Sequence, residues 1–556
     1  MSTILKGTGI SGELAIGSLR VEKQGTSVSE QKISASDIEE HEKRFHAASD
    51  QADVELTKLY DEMMEEGRSQ EAEIIEVQQE FLQDPAIVDA ILGRINKDLN
   101  NVELAVYQGL EENIAVFEQM DDAYFQQRSL DLKDLRSRLL RILSGEAEQV
   151  YGDKEVIVAC NELYPAMVLG AKKKRIVGFI VEQGAMTSHA SILAKALDLP
   201  LLIHVEGAVE AFEVGDTLVL DIAKQEVYGE LSSDELAGYR EKLEEVEQEK
   251  IRLQKYRQME ARSKDGVRVE LAANIVSVEE VEAVLENKAD GIGLFRTEFL
   301  YMQSSKLPSE EEQFAAYRQV VERMAPHPVI IRTLDIGGDK HADCLNLQTE
   351  DNPFMGYRAI RICLNEKALF MTQIRAILRA SHYGKARLMI PMVVAREEIE
   401  QTRELVEQAK EQLRSVGFPF DEELEIGIMA ETPASVVCLP DWLDIVDFVS
   451  IGTNDLTQYM LAVDRTNPQL QSYYNYGNKA VLRAIKMICD AGAEQDTWVG
   501  VCGEMASEKD WVPFLVGCGV KELSVGAGRI NMVKEILQKY TIAECKDIVR
   551  QHLGDR

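Results

Sequence analysis

With 556 residues the chain is long enough for about three domains, each able to bury a core; 45% hydrophobic and 28% charged residues are ordinary for a globular protein. Acidic residues outnumber basic ones 96 to 61, a formal net charge of -35, which disfavours nucleic acid and anionic lipid as partners and obliges any anionic substrate to find a local basic pocket. The sequence carries no apolar run of about 18 residues for membrane insertion and no secretory pattern in residues 1–7, and its eight cysteines, without C-x-x-C pairs, suit a reduced, cytoplasmic protein.

Residues 2–23 read as short strands around Gly9, Gly12 and Gly17. From about Ser36 to Leu143 apolar residues recur three and four apart, as in Ile74, Ile75, Phe81 and Leu82, which predicts several antiparallel helices, one begun by Asp84-Pro85. Strand-like runs return at Val156–Val158, Ile176–Val181, Leu201–Ile203 and Leu218–Leu220, with Lys172–Arg175 a solvated approach to one of them. The predicted organisation is an α/β domain (residues 1–34 and 144–232) interrupted by a helical subdomain (residues 35–143).

Within the α/β domain, the loop Gly184-Ala-Met-Thr187-Ser188 opens directly into an apolar helix that begins near His189. A helix N-terminus presents unpaired N–H groups to an anion, and a neutral imidazole is a good nucleophile toward phosphorus. A single histidine at such a place is commonly a cap or packing residue; the other seven histidines have no comparable setting.

Residues 233–263 are almost uniformly charged and read as a linker helix. Residues 264–556 then alternate strands with helices: Val269–Ala273, Asp290–Phe295, Val329–Thr333, Arg387–Pro391, Leu424–Ala430, Asp447–Ile451, Trp498–Val501 and Glu522–Val525. Eight strands at this spacing predict a (β/α)₈ barrel, whose chemistry belongs at the C-terminal strand ends. Those ends carry Arg296, Arg332, Glu431, Asn454, Asp455 and Cys502, with Lys340, Arg358 and Arg465 in adjoining loops. An isolated arginine usually makes a surface ion pair, but several at one rim suit a multiply charged anion, which guanidinium forks bind in bidentate fashion. Glu431 and Asp455 offer hard oxygens to Mg²⁺. The glycines in Gly500-Val-Cys502-Gly503 suggest a thiol open to a ligand rather than an ordinary buried cysteine.

Two stretches carry a family resemblance. Gly184–Lys195 resembles the phosphohistidine signature of the phosphoenolpyruvate-utilising enzymes, with Lys195 at its usual arginine. Asp447-Phe-Val-Ser-Ile-Gly-Thr-Asn454-Asp455-Leu-Thr-Gln458 matches their second signature throughout. Gly293–Glu298, Arg332–Lys340 and Asn352–Arg358 are similar to enzyme I of the sugar phosphotransferase system, over nearly the whole chain. The resemblance implies that His189 accepts a phosphoryl group from phosphoenolpyruvate, releasing pyruvate, and passes it to the carrier HPr, which docks on the inserted helices. It further implies that Arg296, Arg332, Asn454 and Arg465 hold the substrate, that Glu431 and Asp455 hold Mg²⁺, and that Cys502 protonates the enolate. A homodimer formed through the barrel, and a His189 domain that swings on the 233–263 linker, follow from the same resemblance.

Departures from the pattern occur at Ser11-Gly12-Glu13, Asn478–Val481 and Ser524–Ala527, and at Val77-Gln78, which falls where the carrier-facing side of the insert is expected. Pyruvate phosphate dikinase and phosphoenolpyruvate synthase share both signatures but need a further ATP-binding domain for which 556 residues leave no room. A regulatory paralogue without turnover is disfavoured because every catalytic position is retained.

Overall fold

The computed structural model describes residues 3–22, 28–65, 69–118, 123–145, 154–184, 188–302, 306–338, 340, 342–348 and 350–554. Its contacts divide the chain into two units, residues 1–248 and residues 249–556.

In the first unit β1 (Thr3–Lys6), β2 (Thr8–Ser11), β3 (Leu14–Glu22), β4 (Val156–Cys160), β5 (Ile176–Val181), β6 (Leu201–Ile203), β7 (Thr217–Asp221) and β8 (Glu226–Gly229) form one sheet, ordered β1-β8-β7-β3-β4-β5-β6-β2. Its centre, β3 to β6, is parallel and its flanks are antiparallel. All five residues of β4 are buried, as a parallel strand covered on both faces must be. Val156 and Val158 join one apolar cluster, Ile157 and Ala159 another.

Between β3 and β4 the chain builds α1 (Ile38–Glu65), α2 (Ser69–Gln83), α3 (Pro85–Asn96), α4 (Val102–Glu118) and α5 (Ala123–Ser144). Asp84 caps α3 by accepting the Ala86 N–H at 2.7 Å, and Pro85 occupies the first turn, where a missing N–H has no partner to lose. Ile87, Ile91 and Ile95 then bury one face of α3 in the cluster that also covers the sheet.

Gln78 corrects the expectation of a carrier-facing position. It stands three residues after Ile75 and four before Leu82, on the buried stripe of α2, and all three side chains are buried. Its Nε2 donates to Asp134 Oδ2 of α5 at 2.9 Å, and its Oε1 has no partner among the described residues. Burial raises the Asp134 carboxyl above its ordinary range, opposed by Arg138, by Gln78 and by the Ala166 N–H. The amide is therefore an internal strut between two helices.

In the second unit β9 (Glu270–Ile275), β10 (Ile292–Arg296), β11 (Val329–Arg332), β12 (Ala386–Ile390), β13 (Glu425–Ala430), β14 (Phe448–Ile451), β15 (Trp498–Val501) and β16 (Glu522–Gly526) close into an eight-stranded barrel in chain order, every pair parallel. The sequence reading of a multidomain α/β protein ending in a (β/α)₈ barrel is what the chain folds into. The charged segment is helical only over Ser233–Gln254. Leu236, Tyr239 and Leu243 pack on the first unit, whereas Arg252 pairs with Glu535 of the second at 2.9 Å. No described helix is long and apolar enough to cross a membrane.

Replacing Gln78 with methionine keeps the volume and removes the amide, which strands the buried Asp134 oxygen. The expected result is a loss of about 1–3 kcal/mol in the unfolding of the first unit, measured in urea on the full chain. An unchanged midpoint would mark the amide as dispensable.

Candidate active site

The C-terminal ends of the barrel strands bring together most of the residues singled out in the sequence. Arg296 and Arg332 are the last residues of β10 and β11, and Glu431 follows β13. Asn454 and Asp455 lie in the first turn of the helix Thr453–Leu461, just after β14, and Cys502 follows β15. The register pairs Ala430 with Ile451 and Ile451 with Val501, so these three strands end level with one another.

The cations there are not bare. Asp335, 1% exposed, accepts from Arg358 Nη2 at 2.8 Å and Lys340 Nζ at 2.9 Å, with Arg332 Nη2 at 3.2 Å. Glu298 Oε1 accepts from Arg332 Nη2 at 2.5 Å and also from Lys340. Arg358 Nη1 reaches Asp455 Oδ1 at 3.3 Å and the Tyr459 hydroxyl at 3.1 Å, and Arg465 Nη1 lies 3.4 Å from Asp455 Oδ2. Burial alone would raise the Asp335 carboxyl, but Lys340, Arg358 and Arg332 hold it well below its ordinary range; Glu298, also raised by burial alone, is lowered by Arg332 and Lys340.

Glu298 and Asp335 were missed in the sequence, although both stand within the quoted stretches Gly293–Glu298 and Arg332–Lys340. The available signal was electrostatic: a cation at the end of a buried strand needs a counterion close by, because an unpaired buried charge costs several kcal/mol. Five cations, Arg296, Arg332, Lys340, Arg358 and Arg465, thus stand at the rim with four carboxylates, those of Glu298, Asp335, Glu431 and Asp455, a formal excess of one positive charge once every carboxylate is ionised.

Glu431 is 1% exposed and accepts the Met392 N–H at 2.7 Å. Burial, then Asp455 and Asp335, push its carboxyl up to about 8. A Cβ on Gly452 would stand 2.6 Å from Glu431 Oε2, so the glycine of the Ile451-Gly452-Thr453 turn is what leaves room for the carboxylate.

Cys502 differs from its expected openness. The thiol is buried beside Leu294, Ile330, Met389, Met429 and Phe448 in the barrel centre. The neighbouring glycines serve the backbone instead: a Cβ on Gly503 would collide with Thr453 Oγ1, and one on Gly500 would press on Glu522 and Trp498. Burial pushes the thiol up to about 11, tempered by Ser450, Arg332 and Arg296, so it stays protonated at neutral pH.

His189 belongs to the first unit. It is the first residue of the helix His189–Ala196, whose N-cap, Ser188, accepts the Ser191 N–H through its side chain at 3.2 Å. The chain enters this helix from the C-terminal end of β5. Thr187, in the loop ahead of the histidine, lies outside the described residues, as does the His189 side chain.

Three domain families match the chain in succession: the N-terminal domain of PEP-utilising enzymes over residues 6–128, their mobile domain over 152–225, and their PEP-binding domain over 250–542. The chain therefore belongs to the PEP-utilising enzymes. Curated relatives narrow the class to a transferase, each carrying the name phosphoenolpyruvate-protein phosphotransferase. The one from Latilactobacillus sakei is 38% identical over 93% of this chain and 91% of its own length. That from Staphylococcus carnosus is 36% identical over 93% and 90%, and that from Listeria innocua 35% identical over 100% and 97%.

Asp335→Asn should cost the barrel about 3–5 kcal/mol at neutral pH, because it leaves buried cations without their shared partner. Since the folded carboxyl is held low, its contribution is complete above the unfolded value of about 4 and fades as pH falls below it. The gap between wild type and variant in denaturant titrations should accordingly narrow in acid. Alkylation of Cys502 by iodoacetamide, followed by peptide mapping, should accelerate about tenfold per pH unit through neutrality, because only the thiolate reacts. A rate already flat at pH 8 would contradict a thiol titrating near 11.

Proposed function

We propose that the chain is a phosphoenolpyruvate-protein phosphotransferase of the enzyme I kind, acting in the cytoplasm, which phosphorylates its own His189 and passes the group to HPr for sugar uptake. The single observation behind this reading is the cation frame at the barrel rim, in a chain that also carries a histidine at a helix N-terminus of its mobile domain.

The charges suit the substrate. A carboxylate and a phosphate together carry about three negative charges at neutral pH; the excess cation of the rim balances one, and a divalent cation would balance the others. Glu431 and Asp455 fit such an ion: both carboxyl groups stand at the rim, Asp455 is one of the charges that disfavour an ionised Glu431, and a divalent cation between them would offset that repulsion. Mg²⁺ takes one or two carboxylates and completes its shell with substrate oxygens and water. When bound there, Mg²⁺ would neutralise charge on the phosphate.

Arg296, Arg332 and Arg465 grip carboxylate and phosphate oxygens, Asn454 donates a hydrogen bond, and Lys340 and Arg358 complete the positive field. His189 Nε2 attacks phosphorus; the bond from phosphorus to the bridging oxygen breaks, and its electrons pass to the enolate. Cys502 gives its proton to the methylene carbon, pyruvate leaves, and the thiolate regains a proton from solvent. A thiol kept protonated by burial is suited to this step, and a water-poor pocket limits competing hydrolysis of the phosphoryl group. The phosphoryl group then passes from His189 to HPr on the helical insert, and the second unit forms the dimer.

Labelled phosphoenolpyruvate with Mg²⁺ should place an acid-labile, base-stable phosphate on His189 and on a following addition of HPr. His189→Ala should take up none. Cys502→Ala should lose nearly all labelling from phosphoenolpyruvate, yet transfer normally to HPr once His189 has been phosphorylated by other means. Label at full stoichiometry in His189→Ala would overturn the assignment.

A further inference from the structure

Asn454 sits where β14 hands over to its helix, and the loop just ahead of Asn478 holds it from behind. That loop follows the short 3₁₀ turn Pro468–Leu470 and reads Tyr473-Tyr474-Asn475-Tyr476-Gly477. Asn475 Oδ1 accepts the Gly477 N–H at 2.8 Å, and a Cβ on Gly477 would stand 2.8 Å from the Trp511 ring. The loop is thereby folded on itself and pressed onto the barrel, with the Tyr474 and Tyr476 rings edge to face at 5.5 Å.

Both tyrosines reach Asn454. The Tyr474 hydroxyl donates to the Asn454 backbone carbonyl at 3.1 Å. The Tyr476 hydroxyl donates to Asn454 Oδ1 at 3.0 Å, and the Glu504 N–H donates to the same oxygen at 3.1 Å. A carboxamide can be turned end for end, and its orientation is fixed by its partners. A backbone N–H only donates, so the atom facing Glu504 must be the oxygen, and the Tyr476 hydroxyl fills the second lone pair. Nδ2 is left on the other side, and among the described residues it makes no hydrogen bond. Burial, and then Tyr474 and Glu504, raise the Tyr476 phenol well above its ordinary range, so it remains a neutral donor throughout physiological pH. Glu504 Oε2 lies 3.4 Å from the same hydroxyl, the weaker of its two acceptors.

We propose that Tyr476 is a positioning residue of the phosphotransfer site: it locks the Asn454 carboxamide with Nδ2 turned toward phosphoenolpyruvate. The inference rests on Asn454 being a substrate ligand, as proposed above. Without the phenol only one donor fixes the amide, its competing flipped orientation becomes accessible, and part of the free protein presents an oxygen to an anionic substrate, which repels it. The fraction of competent protein falls, and the apparent affinity falls with it.

The test is a double-mutant cycle in the full chain, reading kcat and KM for phosphoenolpyruvate from pyruvate release. Tyr476→Phe keeps the ring and its packing and removes only the hydroxyl. It should raise KM by roughly three- to tenfold, the range for one neutral hydrogen bond, with a smaller change in kcat. In an Asn454→Ala background the same substitution should change KM no further. A KM unaffected by Tyr476→Phe, or two effects that multiply in the double variant, would overturn the inference in favour of a merely structural loop. If Asn454→Ala itself leaves KM unchanged, the earlier reading of Asn454 as a ligand fails, and the positioning role fails with it. Thermal unfolding of the phenylalanine variant checks that the barrel is intact, and a cooperative transition near that of wild type is the expected result.

Discussion

Arg332 and Arg358 lie buried at the mouth of the barrel with Lys340 half-buried beside them, and the structure around them follows from the cost of removing charge from water. Isolated, each would forfeit several kcal/mol of hydration. Asp335 and Glu298 meet this cost by gathering Arg332, Arg358 and Lys340 into one network, with Asp455 closing it on the far side. Such a network is weak evidence for stability, because desolvation offsets much of the attraction. Its value lies in placement: long flexible side chains are held in one arrangement before any ligand arrives, which lowers the entropy lost on binding.

The same network sets the electrostatics of its neighbours. Cys502 lies in apolar surroundings that favour the neutral thiol, while Arg332 and Arg296 restrain the shift. For Glu431 burial acts in the same direction, and Asp455 and Asp335 add to it against Arg332 and Arg358. A protonated thiol and a buried carboxyl of raised proton affinity thus stand at one rim. The first unit solves a different problem. His189 begins a helix whose cap is supplied by Ser188, where backbone N–H groups are available to an anion without any buried charge.

Gly452, Gly477 and Gly503 show how much of the rim depends on close approach. Each lacks a side chain because another group occupies the space: Glu431, the Trp511 ring and Thr453 respectively. None of the three needs a positive φ, so the requirement is proximity rather than backbone freedom.

The sequence by itself determined a great deal here. Period-two and continuous apolar runs located all eight barrel strands, because a strand buried on both faces can hardly be written otherwise. Asp84-Pro85 announced α3, and the strand-end rule makes Arg296, Arg332, Glu431 and Cys502 neighbours, since closure of a parallel barrel brings every C-terminal end to one rim. Tertiary structure alone decided what those residues meet. The pairing of Asp335 with Arg358 joins two loops, the burial of Cys502 depends on side chains from five other strands, and Tyr476 reaches Asn454 across 22 positions. Gln78 lay between the two cases: its spacing from Ile75 and Leu82 put it on the inner stripe, but only the packing of α2 against α5 supplied the Asp134 partner that makes a buried amide tolerable. Local pattern fixes which face a residue occupies; the identity of the atom opposite depends on contacts between segments far apart in the chain, and no local rule carries that information.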